Sequence, residues 1–185
     1  GCSLQRWYNG IDVMIPKKAN SNRVDKLRTI VLMEPDFNLL NKIIGKRVMR
    51  MAEQADSIAP EQFGSRKKKS AIIHALNKQL TTDIIRQDKT NFCLMILDAK
   101  DCYGRITPMM TSFAMKRQGA TQSMMDLMLD TITKMKHYIR TSFGDSESTY
   151  QQGDIPFHGI LQGNGAGPAI WAVLSTPLLN LLRSK

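Results

Sequence analysis

Phe92-Cys-Leu-Met-Ile-Leu-Asp98-Ala-Lys-Asp101-Cys-Tyr103 decides how the chain is interpreted, because its six consecutive apolar residues lead directly to a carboxylate. Such a run is typical of a strand that is covered on both faces. A carboxylate where a buried strand ends costs desolvation free energy unless a cation or a hydrogen-bond donor offsets it. Rigidly held carboxylates are ligands for divalent metals. We therefore predict a strand over residues 92–98 that ends on a metal-binding Asp98; an aspartate that only caps the next turn is the alternative.

The composition predicts one folded unit. Of the 185 residues, 42% are apolar and 23% are charged, which permits a sizeable core and excludes disorder. Cys2, Cys93 and Cys102 are odd in number and lack metal-ligand spacing, so we expect no disulfide framework. We expect Cys93 and Cys102 in the core, and the protein in a reducing intracellular compartment, cytoplasmic or nuclear.

The sequence predicts no membrane partner. Residues 1–15 lack the continuous apolar core of a leader peptide. Residues 166–182 are apolar but are interrupted by prolines, so we expect a buried, kinked helix there.

The positive charge is concentrated in the first half of the chain. The 26 Lys and Arg against 16 Asp and Glu give a net charge of +10. Residues 1–90 carry 17 basic and 9 acidic groups, whereas residues 91–185 carry 9 and 7. A polyanion such as nucleic acid is the natural partner of such a surface, with binding that weakens as salt rises. Lysines that only keep the protein soluble are the alternative.

Alternating apolar residues near the start predict a β-hairpin, with strands around Val13 and Ile30 and a turn at residues 20–22. A helix is predicted to begin at Glu34-Pro35-Asp36, because proline and acidic residues suit the first turn. Its predicted buried face consists of Leu39, Leu40, Ile43, Ile44, Val48 and Met51. A second helix, over residues 66–86, is predicted to bury Ile72, Ile73, Leu76, Leu80 and Ile84.

Further helices and strands are predicted downstream. Thr107-Pro108 indicates a helix start and Gly119 its end. A following helix is predicted from an apolar stripe that we assign to packing: Met124, Met125, Met128, Leu129, Ile132 and Met135. Residues 137–143 and 148–155 read as two strands around a polar turn. We expect one compact unit with two lobes.

Four glycines lie within residues 159–167, just before Pro168. They permit a close backbone approach, and the proline indicates a helix start. Such a turn can hold a phosphate or a nucleic-acid backbone at the helix N-terminus. It is neither a Walker A motif nor a dinucleotide fingerprint, and an ordinary glycine-rich turn is the alternative.

A run of cations lies in Gln62-Phe-Gly-Ser-Arg66-Lys-Lys-Lys69-Ser70. Four cations at a helix start oppose the helix dipole by about a few tenths of a kcal/mol each. Contact with phosphates would offset that cost. A solvated charge run or a localisation signal is the alternative.

Taken in order, five segments resemble the fingers and palm of a reverse transcriptase, most like those of retrotransposons without long terminal repeats. They are Ile15-Pro-Lys-Lys18, Leu27-Arg-Thr-Ile30, Gln62-Phe-Gly64 with Ser70, Asp98 to Tyr103, and Leu161-Gln-Gly163 to Pro168. Each motif alone is weak, but the order is informative, and the match spans residues 7–185. The resemblance implies an α+β right-hand polymerase fold with an antiparallel sheet backed by helices. Residues 1–90 would form a basic fingers-like lobe and residues 91–185 a partial palm.

The resemblance also implies roles for individual residues. Asp98 would be the first catalytic, metal-binding aspartate, and the complete parent protein would use two Mg²⁺ ions, with Mn²⁺ as an alternative. Tyr103 would stack under the deoxyribose and exclude a 2'-hydroxyl. The implied nucleotide-binding residues are Lys17, Lys18, Arg28, Asp101, Cys102, Tyr103, Gln162 and Gly163. The implied nucleic-acid-binding residues are Gln62, Phe63, Gly64, Arg66, Lys67, Lys68 and Lys69. The implied partners are an RNA template, a DNA primer and a dNTP.

Two features depart from the family pattern. Gly104 stands where many relatives carry an acidic residue, and no Tyr-x-Asp-Asp-like pair follows Gln162-Gly163. The thumb is missing as well. We therefore expect a fragment of an RNA-directed DNA polymerase that does not extend a primer alone. The alternatives are a catalytically inactive nucleic-acid-binding module and a basic domain that binds an acidic protein. The helix surface for the latter would carry Lys42, Lys46, Arg47 and Arg50.

Overall fold

The computed structural model of the chain describes residues 3–18, 23–151, 153 and 159–183. Short 3-10 turns occur at Gln5–Tyr8 and Val24–Lys26. The strands are β1 (Asn9–Pro16), β2 (Leu27–Met33), β3 (Lys136–Thr141), β4 (Gly144–Asp145) and β5 (Tyr150–Gln151). The helices are α1 (Pro35–Gln54), α2 (Ala71–Gln87), α3 (Cys102–Arg105), α4 (Pro108–Arg117), α5 (Gln122–Thr133) and α6 (Gly167–Arg183). This mixture of strands and helices confirms the predicted α+β class.

The strands form one mixed sheet in the order β2-β1-β3-β4, and β5 also pairs with β3. β1 and β2 are antiparallel with Ile15 opposite Arg28, so the predicted hairpin is confirmed; its turn at residues 20–22 lies outside the described residues. The prediction of a purely antiparallel sheet was wrong, because β1 and β3 are parallel, with Gly10 beside His137. Parallel neighbours need a long crossover, and the chain provides one through the helices between β2 and β3.

The two faces of the β-hairpin differ in exposure. Gly10 and Asp12 on β1 are buried, as are their antiparallel partners on β2, Met33 and Val31. Successive side chains alternate between the faces of a strand, so Arg28 lies on the opposite face from Val31. Arg28 is exposed. The hairpin therefore packs one face on the core and leaves its cation on the open face.

Helix α1 begins where the sequence predicts, with Pro35 in its first turn, but its buried face differs from the prediction. Ile44 and Val48 are buried as expected, whereas Leu39 is 58% exposed and Ile43 is 45% exposed. The face that packs inward consists of Phe37, Asn41, Ile44, Gly45, Val48 and Ala52. It contains small residues because the neighbouring backbone is very close: a Cβ on Gly45 would lie 2.8 Å from the Cα of Ala166.

The second predicted helix is present but begins later and is not packed as expected. Ser70 caps α2 by accepting a hydrogen bond from the Ile73 amide at 3.2 Å, so the four cations precede the helix. All 17 residues of α2 keep at least partial solvent exposure, so the predicted buried face was wrong. Ile72, Ile73, Leu76, Leu80 and Ile84 are all exposed. The apolar stripe has no covering element among the described residues.

The predicted strand over residues 92–98 was also wrong. Residues 91–99 adopt neither helix nor strand, and their side chains are exposed, with Ile96 at 76%. Cys93, expected in the core, is exposed as well. A strand needs a neighbour for its backbone amides and carbonyls, and none of the strands in the described sheet pairs with this segment.

Helices α4 and α5 agree with the sequence predictions, and α6 agrees in part, because the second half of this helix, which was expected to be buried, is largely exposed. Helix α4 begins after Thr107, whose hydroxyl accepts from the Met110 amide at 3.1 Å, and Gly119 follows its end with φ +77°. Buried Met125, Met128, Ile132 and Met135 confirm that the methionine stripe packs in the core. Helix α6 has Pro177 in its interior and a mostly buried first half. Within the described ranges, no helix is long and apolar enough to cross a membrane.

The predicted strand over residues 148–155 is described only in part. Two of its residues form β5, and residues 152 and 154–155 lie outside the described residues.

A buried polar cluster joins three strands of the sheet. Asp12 on β1 and His137 on β3 are each 1% exposed, and their Oδ1 and Nδ1 atoms lie 3.0 Å apart. The Tyr150 hydroxyl on β5 donates a hydrogen bond to Oδ2 of Asp12. The Tyr150 ring stacks on His137 with ring centroids 5.2 Å apart. Asp12 therefore serves as the common acceptor that fixes β3 and β5 relative to β1.

Tyr150 predicts a loss of stability in alkaline solution. Burial, then the hydrogen bond to Asp12 and its negative charge, raise the Tyr150 pKa well above its ordinary value of 10.0. Above pH 10 the unfolded chain loses this proton while the folded chain keeps it. The free energy of unfolding should therefore be unaffected by this group below pH 10 and fall above it, by at most about 1.4 kcal/mol per pH unit. Urea denaturation of wild type and Tyr150→Phe between pH 8 and 11 measures the difference. Parallel pH profiles of the two proteins would contradict it.

Candidate nucleotide and nucleic-acid site

The turn that follows the exposed apolar segment brings two carboxylates near one thiol. Asp101 adopts a left-handed conformation, φ +49°, and precedes the single helical turn α3. Burial raises the pKa of the Cys102 thiol, and the negative charges of Asp101 and Asp98 raise it further. Asp98 and Asp101 lie three positions apart in the chain and both act electrostatically on the Cys102 thiol. Both aspartates are exposed, so a solvated cation can reach them.

Gly104, which departs from the family pattern, has a local explanation. The Asp101 carboxylate folds back over it, and a Cβ on Gly104 would lie less than 3.0 Å from both carboxylate oxygens. A side chain at this position would displace the end of Asp101. An acidic residue here would also place a second negative charge against the first. The glycine therefore accommodates this orientation of Asp101.

Tyr103 packs against the glycine-rich segment. The Ile160 amide donates to the Tyr103 carbonyl at 3.1 Å, and a Cβ on Gly159 would lie less than 3.0 Å from that same oxygen. A Cβ on Gly167 would lie 3.1 Å from Cε1 of the tyrosine ring. Burial raises the pKa of the half-buried Tyr103. Two glycines thus give this tyrosine its place beside the start of α6.

Gln162 and Gly163 lie along the outer edge of β2. The Val31 amide donates to the Gln162 carbonyl at 2.8 Å. Gly163 has φ +124°, and a Cβ there would lie less than 3.0 Å from the Val31 carbonyl oxygen. Only glycine combines this backbone conformation with so close an approach. The structure therefore joins the Gln-Gly motif to the strand that carries Arg28.

The predicted triphosphate cations lie toward the turn end of the same hairpin. The Lys17 amide donates to the Lys26 carbonyl at 2.8 Å, which extends the β1–β2 pairing past Ile15 and Arg28. Lys17, Lys18 and Arg28 are all exposed. Fixed cations at this end are available to a bound phosphate.

The basic run separates into inward-facing and solvent-facing residues. Arg66 donates to Glu53 Oε1 at 3.3 Å and to the Ala59 carbonyl at 3.2 Å, with its side chain only 16% exposed. The Lys69 ammonium lies 4.7 Å from the centroid of the Phe63 ring. Lys67 and Lys68 are exposed and are the members of the run that remain available to phosphates. Contact of this run with nucleic acid stays a prediction, for which Lys67 and Lys68 are the most accessible cations.

Gln62 and Gly64 hold the basic run against helix α6. Gln62 Nε2 donates to Ser175 Oγ at 2.7 Å, and the Gly64 amide donates to Gln62 Oε1 at 3.0 Å. Ser175 lies about 12 Å along α6 from Gly167, at about 1.5 Å per residue. The basic run is therefore attached to the middle of α6, whereas the glycine-rich segment beside Tyr103 leads into the start of that helix.

Sequence reasoning missed Asn38 as a site residue. Its Nδ2 donates to the Gly163 carbonyl at 3.1 Å, and its Oδ1 accepts from the Gly165 amide at 2.8 Å. Asn164, also missed, donates to the Ile160 carbonyl and accepts from the Ala166 amide, both at 2.9 Å. An asparagine among glycines is a signal for the second. Nothing local marks the first, because its partners are distant in sequence.

Asp98 and Asp101 are suited to a magnesium ion. Mg²⁺ prefers oxygen ligands and is usually held by one or two carboxylates, with waters and substrate phosphates completing its shell. Two exposed carboxylates three positions apart offer donors of that kind. No group of three or more potential ligands occurs in residues 3–18, 23–151, 153 and 159–183. A metal here would therefore rely on waters or phosphates for part of its coordination.

Comparison with known families identifies the class of protein to which the chain belongs. The family model described as Reverse transcriptase (RNA-dependent DNA polymerase) matches residues 15–185. This match covers most of the chain, so the chain belongs to the reverse transcriptase family. The search of curated proteins found no match.

Proposed function

We propose that the chain forms the nucleotide-binding and template-binding part of an RNA-directed DNA polymerase, with fingers in residues 1–90 and part of the palm in residues 91–185. The reaction is transfer of a nucleotide from a dNTP to a primer 3'-hydroxyl on an RNA template. Support comes above all from the hydrogen bonds that connect the Tyr103 turn, the Gln162 motif and the Arg28 strand. Three distant segments that the resemblance assigns to one nucleotide site are linked through one glycine-rich segment.

Each element of the site has a task in this proposal. Arg28 and Lys17 neutralise the triphosphate, and Tyr103 contacts the sugar. Asp98, with Asp101 beside it, holds magnesium, which would neutralise the phosphates and activate the primer hydroxyl. Residues 164–185 contain no acidic residue, so we propose that the other carboxylates of the complete site lie outside these 185 residues. Primer extension by the 185-residue chain alone should then be undetectable.

Binding of a primed template by the 185-residue chain tests the proposal. We expect the logarithm of the affinity to fall linearly with the logarithm of salt, because phosphate contacts release counterions. Arg28→Ala should reduce by about threefold to tenfold the further gain in affinity that MgCl₂ and the complementary dNTP produce, because Arg28 is assigned to the triphosphate. Fluorescence anisotropy with a labelled RNA template and a 3'-dideoxy DNA primer measures both quantities.

Arg140→Ala is the matched control, because it removes the same charge from a residue that pairs with Asp145 at 2.5 Å on another strand. It should change the dNTP-dependent gain in affinity much less than Arg28→Ala. Adding MgCl₂ and the complementary dNTP should tighten the wild-type complex, and Asp98→Asn should remove that gain. Salt-independent binding, or equal effects of the two arginine variants, would overturn the proposed surface. An unaltered gain in Asp98→Asn would overturn the metal assignment.

A further inference from the structure

One asparagine on helix α1 holds the last residue of the Gln-Gly motif and the glycine two residues beyond that residue. Asn38 Nδ2 donates to the Gly163 carbonyl at 3.1 Å, while Oδ1 accepts from the Gly165 amide at 2.8 Å. The two bonds fix the orientation of the amide, since one end must donate and the other must accept. Asn38 thereby satisfies two backbone groups of a segment that belongs to neither a helix nor a strand.

The same motif is held from the other side by strand β2. The Gln162 carbonyl accepts from the Val31 amide at 2.8 Å, so residues 162 and 163 lie between β2 and α1. The fit is tight on the helix side as well. A Cβ on Gly165 would lie 3.0 Å from the Asn38 carbonyl oxygen and 2.9 Å from Cβ of Lys42. With β2 on one side and Asn38 on the other, the motif has little freedom to shift.

We propose that Asn38 is a positioning residue for the nucleotide site. This inference rests on the proposed function. Arg28 and Val31 belong to the same strand, and α1 begins just after that strand ends. By holding Gln162 and Gly163 in the frame of β2, Asn38 sets the distance between the nucleotide pocket and the cation that meets the triphosphate. Asn38 is uncharged, so its contribution is geometric.

The test uses Asn38→Ala and Asn38→Asp in the 185-residue chain. Alanine removes both hydrogen bonds, whereas aspartate keeps the acceptor for Gly165 and places an oxygen against the Gly163 carbonyl. Asn41→Ala is the matched control: the same change one turn along α1, at a buried asparagine whose amide atoms have no hydrogen-bond partner among the described residues. The probe is the complementary dNTP with MgCl₂ on a 3'-dideoxy primed RNA template.

We expect Asn38→Ala to lose about tenfold of the dNTP-dependent gain in affinity, and Asn38→Asp to lose part of it. Affinity for the primed template without dNTP, and its salt slope, should stay as in wild type, which also shows that the variants fold. Hydrogen exchange at the Gly165 amide should be about tenfold faster in Asn38→Ala and less affected in Asn38→Asp. Asn41→Ala should change neither the gain nor this exchange rate.

The outcomes separate this inference from the proposed function. A wild-type protein that shows no dNTP-dependent gain overturns the proposed nucleotide site, and the inference with it. A gain that survives in Asn38→Ala despite faster exchange at Gly165 overturns only the positioning role. Unchanged exchange at Gly165 overturns the hold of Asn38 on this segment. An equal loss of gain in Asn41→Ala would show that any disturbance of α1 suffices, which also overturns the assignment to Asn38.

Discussion

Gly163→Ala is expected to lower the free energy of unfolding by about 3 kcal/mol and to detach Gln162 from β2. Gly163 has φ +124°, where an L side chain costs about 1–3 kcal/mol. A Cβ would in addition lie less than 3.0 Å from the Val31 carbonyl oxygen, which is backbone and cannot move aside like the end of a side chain. Relieving that overlap stretches the hydrogen bond from the Val31 amide to Gln162, worth about 1 kcal/mol.

Gly144→Ala separates the two causes. Gly144 has φ +119°, yet a Cβ there would meet no atom within 4 Å, so this variant bears the backbone cost without the overlap. Urea denaturation should show a clearly larger loss for Gly163→Ala, and hydrogen exchange at the Val31 amide should accelerate only in that variant. Equal losses in the two variants would show that the close approach to Val31 contributes nothing.

Predictions that rest on local signals were the ones that the structure confirmed. The N-cap and proline at Thr107-Pro108 and the positive φ at Gly119 act within one turn of the chain. The hairpin is set by alternation in two neighbouring strands. The methionine stripe packs because its spacing matches the helix period. In each case the residues that carry the signal also make the contact.

The buried face of α1 was predicted only in part because apolarity identifies large residues, whereas close packing selects small ones. The helix approaches the glycine-rich segment until Gly45 lies against the Ala166 backbone. Leu39 and Ile43 would prevent such an approach, and they lie on the exposed side. The buried face of α1 is thus decided by a partner more than 100 residues away in the sequence. The periodicity of α1 itself contains no information about that partner.

The wrong predictions for α2 and for residues 92–98 have one cause. The apolar stripe of α2 and residues 92–97 are apolar enough for burial, but burial also needs a surface to pack against. No described strand pairs with residues 92–97, and α2 has no buried residue. An apolar pattern therefore identifies a segment that can be buried. It does not show whether another part of the described chain packs against that segment.

For the site, the order of motifs predicted which segments belong together, but not how they are held. The structure places Tyr103 against the glycine-rich segment that contains Gln162, in keeping with that order. Asn38 escaped notice because a single polar residue in a helical first turn is common, and its role depends on two backbone groups far along the chain. Asp12 was also missed, because an acidic residue in an alternating strand pattern is expected to face solvent.

Asp12→Ala is expected to lower the free energy of unfolding by about 3–5 kcal/mol, because removing one member of a buried, hydrogen-bonded group deprives its partners of their acceptor. Both His137 Nδ1 and the Tyr150 hydroxyl use Asp12, and Asp12 and His137 are each 1% exposed. Water cannot easily replace the carboxylate there. Since β1–β3 is the junction of the hairpin with the rest of the sheet, the whole sheet should lose stability together.

Two variants test this account of Asp12. Asp12→Asn keeps an oxygen that can accept from His137 and should recover part of the stability that Asp12→Ala loses. Asp25→Ala is the matched control on the same hairpin, because it removes an exposed carboxylate that pairs with Arg23 at 2.9 Å. Urea denaturation at pH 7 should show little change for Asp25→Ala and a large one for Asp12→Ala. A small loss in Asp12→Ala would mean that His137 and Tyr150 are satisfied without this carboxylate, and that the parallel β1–β3 pairing is held by its backbone hydrogen bonds.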